Sequence, residues 1–167
     1  MSLADSQQNK LRGLDLTSAH LDHLKAGNFQ CINLRLSGVG HFHFGGRVGD
    51  KDADILLDTG AASTVVDRDW AQDCRFRLRP IAGKGAGAGA AAIDLAVIEN
   101  AALVVGGTII SEATLVAIDM SHVREGLRLK GVEPPQVILG VDVLQRWRAV
   151  IDYGSRTLWL APKPMTG

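Results

Sequence analysis

From Cys31 to Leu160 the chain breaks into short segments that either alternate apolar with polar side chains or run wholly apolar, with glycine-rich or Asp-rich turns between many of them. Alternation with a period of two marks a half-buried strand, and a short apolar run between turn residues marks a buried one. The segments 31–36, 41–44, 53–57, 63–66, 93–98, 101–105, 108–110, 114–118, 137–139, 149–153 and 157–160 all read this way. Gly38 to Gly40, Gly106-Gly107 and Gly154-Ser155-Arg156 supply hairpin turns between neighbours. The chain is therefore expected to be mainly β.

Helices are short and few. Ala19, Leu21 and Leu24 follow a Thr17/Ser18 cap signal, and Gly27 can end that helix in a left-handed conformation. Asp67 can cap a helical turn through Trp70 to Cys74, and Val141, Leu144 and Trp147 have helical spacing behind Gly140. The Gly/Ala stretch from Ile81 to Ala92 carries no clear period, so regular structure is doubtful there. Residues 1–28 read as a tail and short helix, 29–161 as one domain, and 162–167 as a second tail.

At 167 residues the chain can bury a core without disulfides or metals. Lys and Arg total 18 and Asp and Glu total 18, interspersed, which argues against nucleic acid or an anionic membrane as partner. No apolar run approaches the roughly 20 residues of a membrane helix, and the start lacks a signal-peptide pattern. The compartment stays open, with a periplasmic or membrane-anchored full-length form among the alternatives. Cys31 and Cys74 are too few for a disulfide scaffold and read as ordinary thiols, their pairing undecided.

The chemistry concentrates where Ile55-Leu56-Leu57 runs into Asp58-Thr59-Gly60. An acid at a strand end, on a turn where glycine permits close backbone approach, is placed to face a partner. Asp, Thr and Gly are also common turn residues, so a polar turn is the competing reading.

The wider segment Leu56-Leu57-Asp58-Thr59-Gly60-Ala61-Ala62-Ser63 resembles the active-site segment of retropepsin-like aspartic peptidases, the single-lobe, retroviral type. Gly83 to Gly89 falls where that family carries its flap, and Val137-Ile138-Leu139-Gly140 resembles its later apolar-apolar-Gly element. The similarity covers about residues 29–161 and is nearer to bacterial members than to viral ones. It implies a single-lobe acid-protease β-barrel and an aspartic endopeptidase that needs no cofactor or metal. Asp58 would be the catalytic acid, and Thr59, Gly60 and Ala61 its support. Gly83, Gly85 and Gly87 would form the substrate-binding flap, against which a plain Gly/Ala linker is the alternative.

Hydrolysis in such enzymes takes two carboxylates on one water, one acting as base and one hydrogen-bonding the carbonyl oxygen. This chain has one Asp-Thr-Gly, so the second acid should come from a twofold-related copy, making a homodimer that acts on a peptide or protein. The two acids should then share a proton and work at acidic to neutral pH. A catalytically silent dimerisation or peptide-binding module of the same fold is the rival function.

Three other features read as structural. His41 and His43 share a strand face and look like surface residues without a third metal ligand. Asp142 and Asp152 lack a following Thr/Ser-Gly, and 121–133 reads as a charged, solvated insertion that could rim a substrate cleft.

Overall fold

The computed structural model describes residues 18–85, 93–110 and 114–164. In chain order the elements are α1 (Ser18–Ala26), β1 (Gln30–Asn33), β2 (Arg35–Leu36), β3 (Phe42–Val48), β4 (Lys51–Leu57), β5 (Val65–Asp67), α2 (Arg68–Asp73), β6 (Leu78–Gly85) and β7 (Ile93–Ile98). Then follow β8 (Leu103–Val105), β9 (Thr108–Ile110), β10 (Val116–Ile118), α3 (Ser121–Leu129), β11 (Val137–Leu139), α4 (Val141–Arg146), β12 (Val150–Asp152) and β13 (Thr157–Leu160).

The β3–β4 hairpin is the spine. Its ladder runs from Phe42↔Leu57 to Val48↔Lys51 and closes at Gly49, whose φ of 56° suits a residue without a Cβ. Beyond β4 the sheet continues through β11, β5, β10, β7 and β6, and beyond β3 through β8 and β9. The β4–β11 and β5–β10 pairs are parallel, so the chain must leave the sheet and return to it between these partners. A second, three-stranded sheet in the order β1-β13-β12 gathers the two ends of the described chain.

One face of the spine supplies the core. Phe42, Phe44, Val48, Ala53 and Ile55 lie on it and pack with Val66, Leu103, Val137 and Leu158 from the surrounding strands and with Trp147, which caps the C-terminus of α4. The chain is mainly β with a few short helices, as expected.

Several details depart from the expectations. The segment 31–36 is two strands in different sheets, β1 and β2, separated at Leu34, whose N–H donates to Arg156 O. Asn28 rather than Gly27 takes the left-handed conformation after α1. The stretch from Ile81 is regular as far as Gly85, because β6 pairs with β7 through Ile81↔Leu95 and resumes, after a register shift, at Gly85↔Ile93. The segment 121–133 holds helix α3, and its Arg124 is not simply solvated. That side chain donates to both oxygens of the buried Asp67, at 2.6 Å to Oδ2, and to Asp69 Oδ2. These bonds, Asp67 first, raise the Arg124 pKa above its ordinary value. Asp67 thereby caps α2 by accepting from Asp69 N–H and also anchors α3.

Gly45 and Gly46, side by side in β3, face opposite demands. A Cβ on Gly46 would lie 2.4 Å from Ile55 Cδ1 and 2.7 Å from Val104 O, whereas one on Gly45 would meet nothing within 4 Å. Gly46→Ala is expected to cost about 1–3 kcal/mol through overpacking. Gly45→Ala should be neutral or stabilise by about 0.5 kcal/mol. Paired urea denaturation curves check the contrast, and equal effects would contradict it.

Candidate active site

The acid loop grows out of the parallel pairing of β4 with β11. The ladder ends at Leu57↔Leu139, and Asp58 N–H adds one more bond to Leu139 O at 3.1 Å before the chain turns. Ala61 N–H then donates to Asp58 O at 3.3 Å, closing a tight turn. In that turn Gly60 N–H donates to Asp58 Oδ1 at 2.8 Å, while Oδ2 has no partner among the described residues. One oxygen of the half-buried carboxylate is thus held and the other is free to address a water or a substrate. A Cβ on residue 60 would press to 3.2 Å from Asp58 Oδ1, so glycine there keeps the carboxylate in place.

The loop is braced from behind by the turn after β11. Val141 N–H donates to Ala61 O at 2.8 Å, and Gly140 N–H donates to Thr64 Oγ1 at 3.0 Å. Asp142 closes the brace. It accepts Thr64 N–H at 2.9 and 3.0 Å and the Thr64 hydroxyl at 2.7 Å. Gly140 is the residue that lets the two segments touch, since a Cβ would lie 2.6 Å from Ser63 C and 2.8 Å from Ala61 O. The structural role expected of Asp142 is this one.

Asp152, the other acid set aside, accepts Gly154 N–H at 2.9 Å and the Ser155 hydroxyl at 2.6 Å in the β12–β13 turn. Thr64 had no signal of its own in the sequence, because its partner lies 78 residues away.

Asp58, Thr59, Gly60 and Ala61 therefore sit together on one loop, with Thr59 exposed and its hydroxyl unpartnered among the described residues. Gly83 and Gly85 belong to β6, and Gly87 lies outside the described residues. His43 is not a surface residue. It is fully buried, and its Nδ1 lies 2.6 Å from Asp54 Oδ2, with Nε2 unpartnered. His41 is exposed, so the pair does not act as one site. Cys31 and Cys74 are free thiols, each pushed up in pKa chiefly by burial. Among the described residues no three His, Cys, Asp or Glu side chains converge as metal ligands, and no helix is long and apolar enough to cross a membrane.

A mainly β sheet that presents Asp-Thr-Gly at a strand end, braced by an apolar-apolar-Gly turn, defines a single-lobe aspartic protease scaffold. The family model described as aspartyl protease matches residues 44–143, well over half of the chain, and the chain belongs to that family. Among solved structures it is similar to a retropepsin-like aspartic protease from Rickettsia conorii, at 18% identity and a TM-score of 0.51 over 78% of this chain and 87% of that one. It also aligns with the retroviral protease-like domain of Ddi1 from Leishmania major, at 14% identity and a TM-score of 0.48 over 75% and 93%. No curated protein matches the chain significantly. The fold is retropepsin-like, and the family supports a protease-type hydrolase.

Asp142→Ala should remove a charged acceptor from the buried Thr64 and destabilise the fold by about 1–3 kcal/mol. Thermal and urea unfolding check this, and Asp142→Asn, which keeps one acceptor oxygen, should lose less.

Proposed function

We propose that the chain is an aspartic endopeptidase whose working form is a homodimer, with one Asp58 from each copy acting on a shared water. The observation that carries this reading is the Asp58 loop itself. A carboxylate with one oxygen fixed by Gly60 N–H and the other free is suited to take a proton from water, and a second such group is needed to polarise the scissile carbonyl.

The chain holds one Asp-Thr-Gly, so a twofold axis beside Asp58 is the economical source of the second acid. Support comes also from Thr59, exposed and unpartnered next to the acid, where a second copy could receive its hydroxyl. Gly83 and Gly85, on β6 of the β6–β7 pair, and Gly87, outside the described residues, are proposed to belong to a flap that covers a bound peptide. Both copies would build the substrate cleft, with the peptide extended between flap and carboxylates.

Asp58→Asn is expected to abolish peptide hydrolysis while leaving the unfolding transition within about 0.5 kcal/mol of the parent, because the loop is held mainly by backbone bonds. Cleavage of a quenched fluorescent peptide library and a statine-type inhibitor test the assignment. Parental turnover by the Asn variant, or cleavage blocked by a chelator and indifferent to the statine, would sink it.

Specific activity should also fall on dilution in step with the loss of dimer seen by sedimentation. Full specific activity from a monomer would remove the shared-water mechanism. A dimer that binds peptide without turnover would leave the silent module in its place.

A further inference from the structure

Away from Asp58, on the opposite face of the β3–β4 spine from the core, a groove of about 730 Å³ is lined by Arg35, Gly45, Arg47, Asp52, Asp54 and Gln136 among others. One end of it is internally satisfied. Asp54 Oδ1 accepts from Arg35 at 2.7 Å, its Oδ2 lies 2.6 Å from His43 Nδ1, and its backbone N–H donates to Gln136 Oε1 at 2.7 Å. The other end is not. Arg47 and Asp52 stand directly opposite each other on the ladder, and neither side chain has a hydrogen bond or ion pair among the described residues.

Gly45 lies on the groove floor directly across the ladder from Asp54, one same-face row from Arg47 and Asp52. Neither packing nor backbone requires glycine at this position, since a Cβ would meet nothing within 4 Å and its φ is not positive. Glycine weakens a strand interior, and a strand glycine with open space above it leaves room for another backbone to approach closely.

We propose that this groove is a second peptide-binding site, taking an extended polypeptide segment whose backbone crosses Gly45 and whose neighbouring acidic and basic side chains pair with Arg47 and Asp52. A polyanion is disfavoured by Asp52 and Asp54 in the same walls. The class of occupant rests on the peptidase reading, whose substrate is a polypeptide. Asp54 precedes Asp58 by four residues on one extended strand, about 13 Å. The groove would therefore hold a part of the substrate remote from the bond being cut.

The test uses the full chain carrying Asp58→Asn and an acetylated, amidated fluorescent peptide with one Glu and one Lys two residues apart in a Gly/Ser background, read by anisotropy. Gly45→Val, which fills the floor, should weaken binding by about tenfold, and Arg47→Gln and Asp52→Asn by about fivefold each, as expected for the loss of one charged contact. A control peptide with Gln at both charged positions should bind more weakly than the charged one and lose nothing further on Arg47→Gln or Asp52→Asn. Equal affinity of the charged peptide for all four proteins, or no binding by any of them, overturns the proposal.

The two exposed polar substitutions leave the core untouched, so they decide the matter should Gly45→Val not fold. Catalysis does not enter this measurement. Groove-dependent binding alongside a parent chain, Asp58 intact, that cleaves no peptide would fell the peptidase reading alone, and cleavage by that parent with groove-independent binding would fell the groove alone.

Discussion

The parallel contact between β4 and β11 is the constraint on which the site depends. Three cross-strand pairs, Ile55 with Val137, Leu56 with Ile138 and Leu57 with Leu139, bring the end of one apolar run beside the end of another. Parallel pairing leaves both chains to turn away at the same edge, so Asp58 and Gly140 emerge side by side. Gly140 then passes close enough to Ala61 and Ser63 that any side chain would collide with their backbone. The Thr64–Asp142 bonds hold the crossing in one geometry. A carboxylate on a free loop would lose orientation to thermal motion, whereas this one is tied through its own main chain to the centre of the sheet.

Much of this was legible. An apolar run stopping at Asp-Thr-Gly announces an acid at a strand end, and Val137-Ile138-Leu139-Gly140 announces a buried strand followed by a tight turn. Gly106 and Gly107, with φ of 56° and 85°, are the hairpin turn that their pairing suggested. Asp67 caps the helix after it, as its position before Arg68 implied.

The failures share a cause, which is that burial on a second face leaves no local trace. His43 alternates with Phe42 and Phe44 as a surface residue would, yet at the His43–Leu56 row that face is buried, and the ring nitrogen meets Asp54, diagonal to it on the ladder. Arg124 looks like any charge in a solvated stretch. Its partners Asp67 and Asp69 lie 57 and 55 residues earlier, and no window of sequence contains both sides of that clamp. The clamp matters because Asp67 is nearly inaccessible, and a buried carboxylate without a cation is strongly destabilising. One guanidinium thus fastens α3 to the start of α2 while neutralising the acid that caps it.

The order of assembly is set by the span of the brace. Thr64 and Asp142 are 78 residues apart, so β4 can fold back on β3 early, through a two-strand hairpin, but its other edge stays open until β11 arrives. Long-range parallel pairings close slowly, because the loop entropy comes before the contacts that offset it. On the ribosome, the residues around Asp58 are made well before the segment that orients them. The nascent chain therefore carries its acid in an unbraced loop until β11 and Asp142 have followed it out of the exit tunnel, and any peptidase competence is deferred until then.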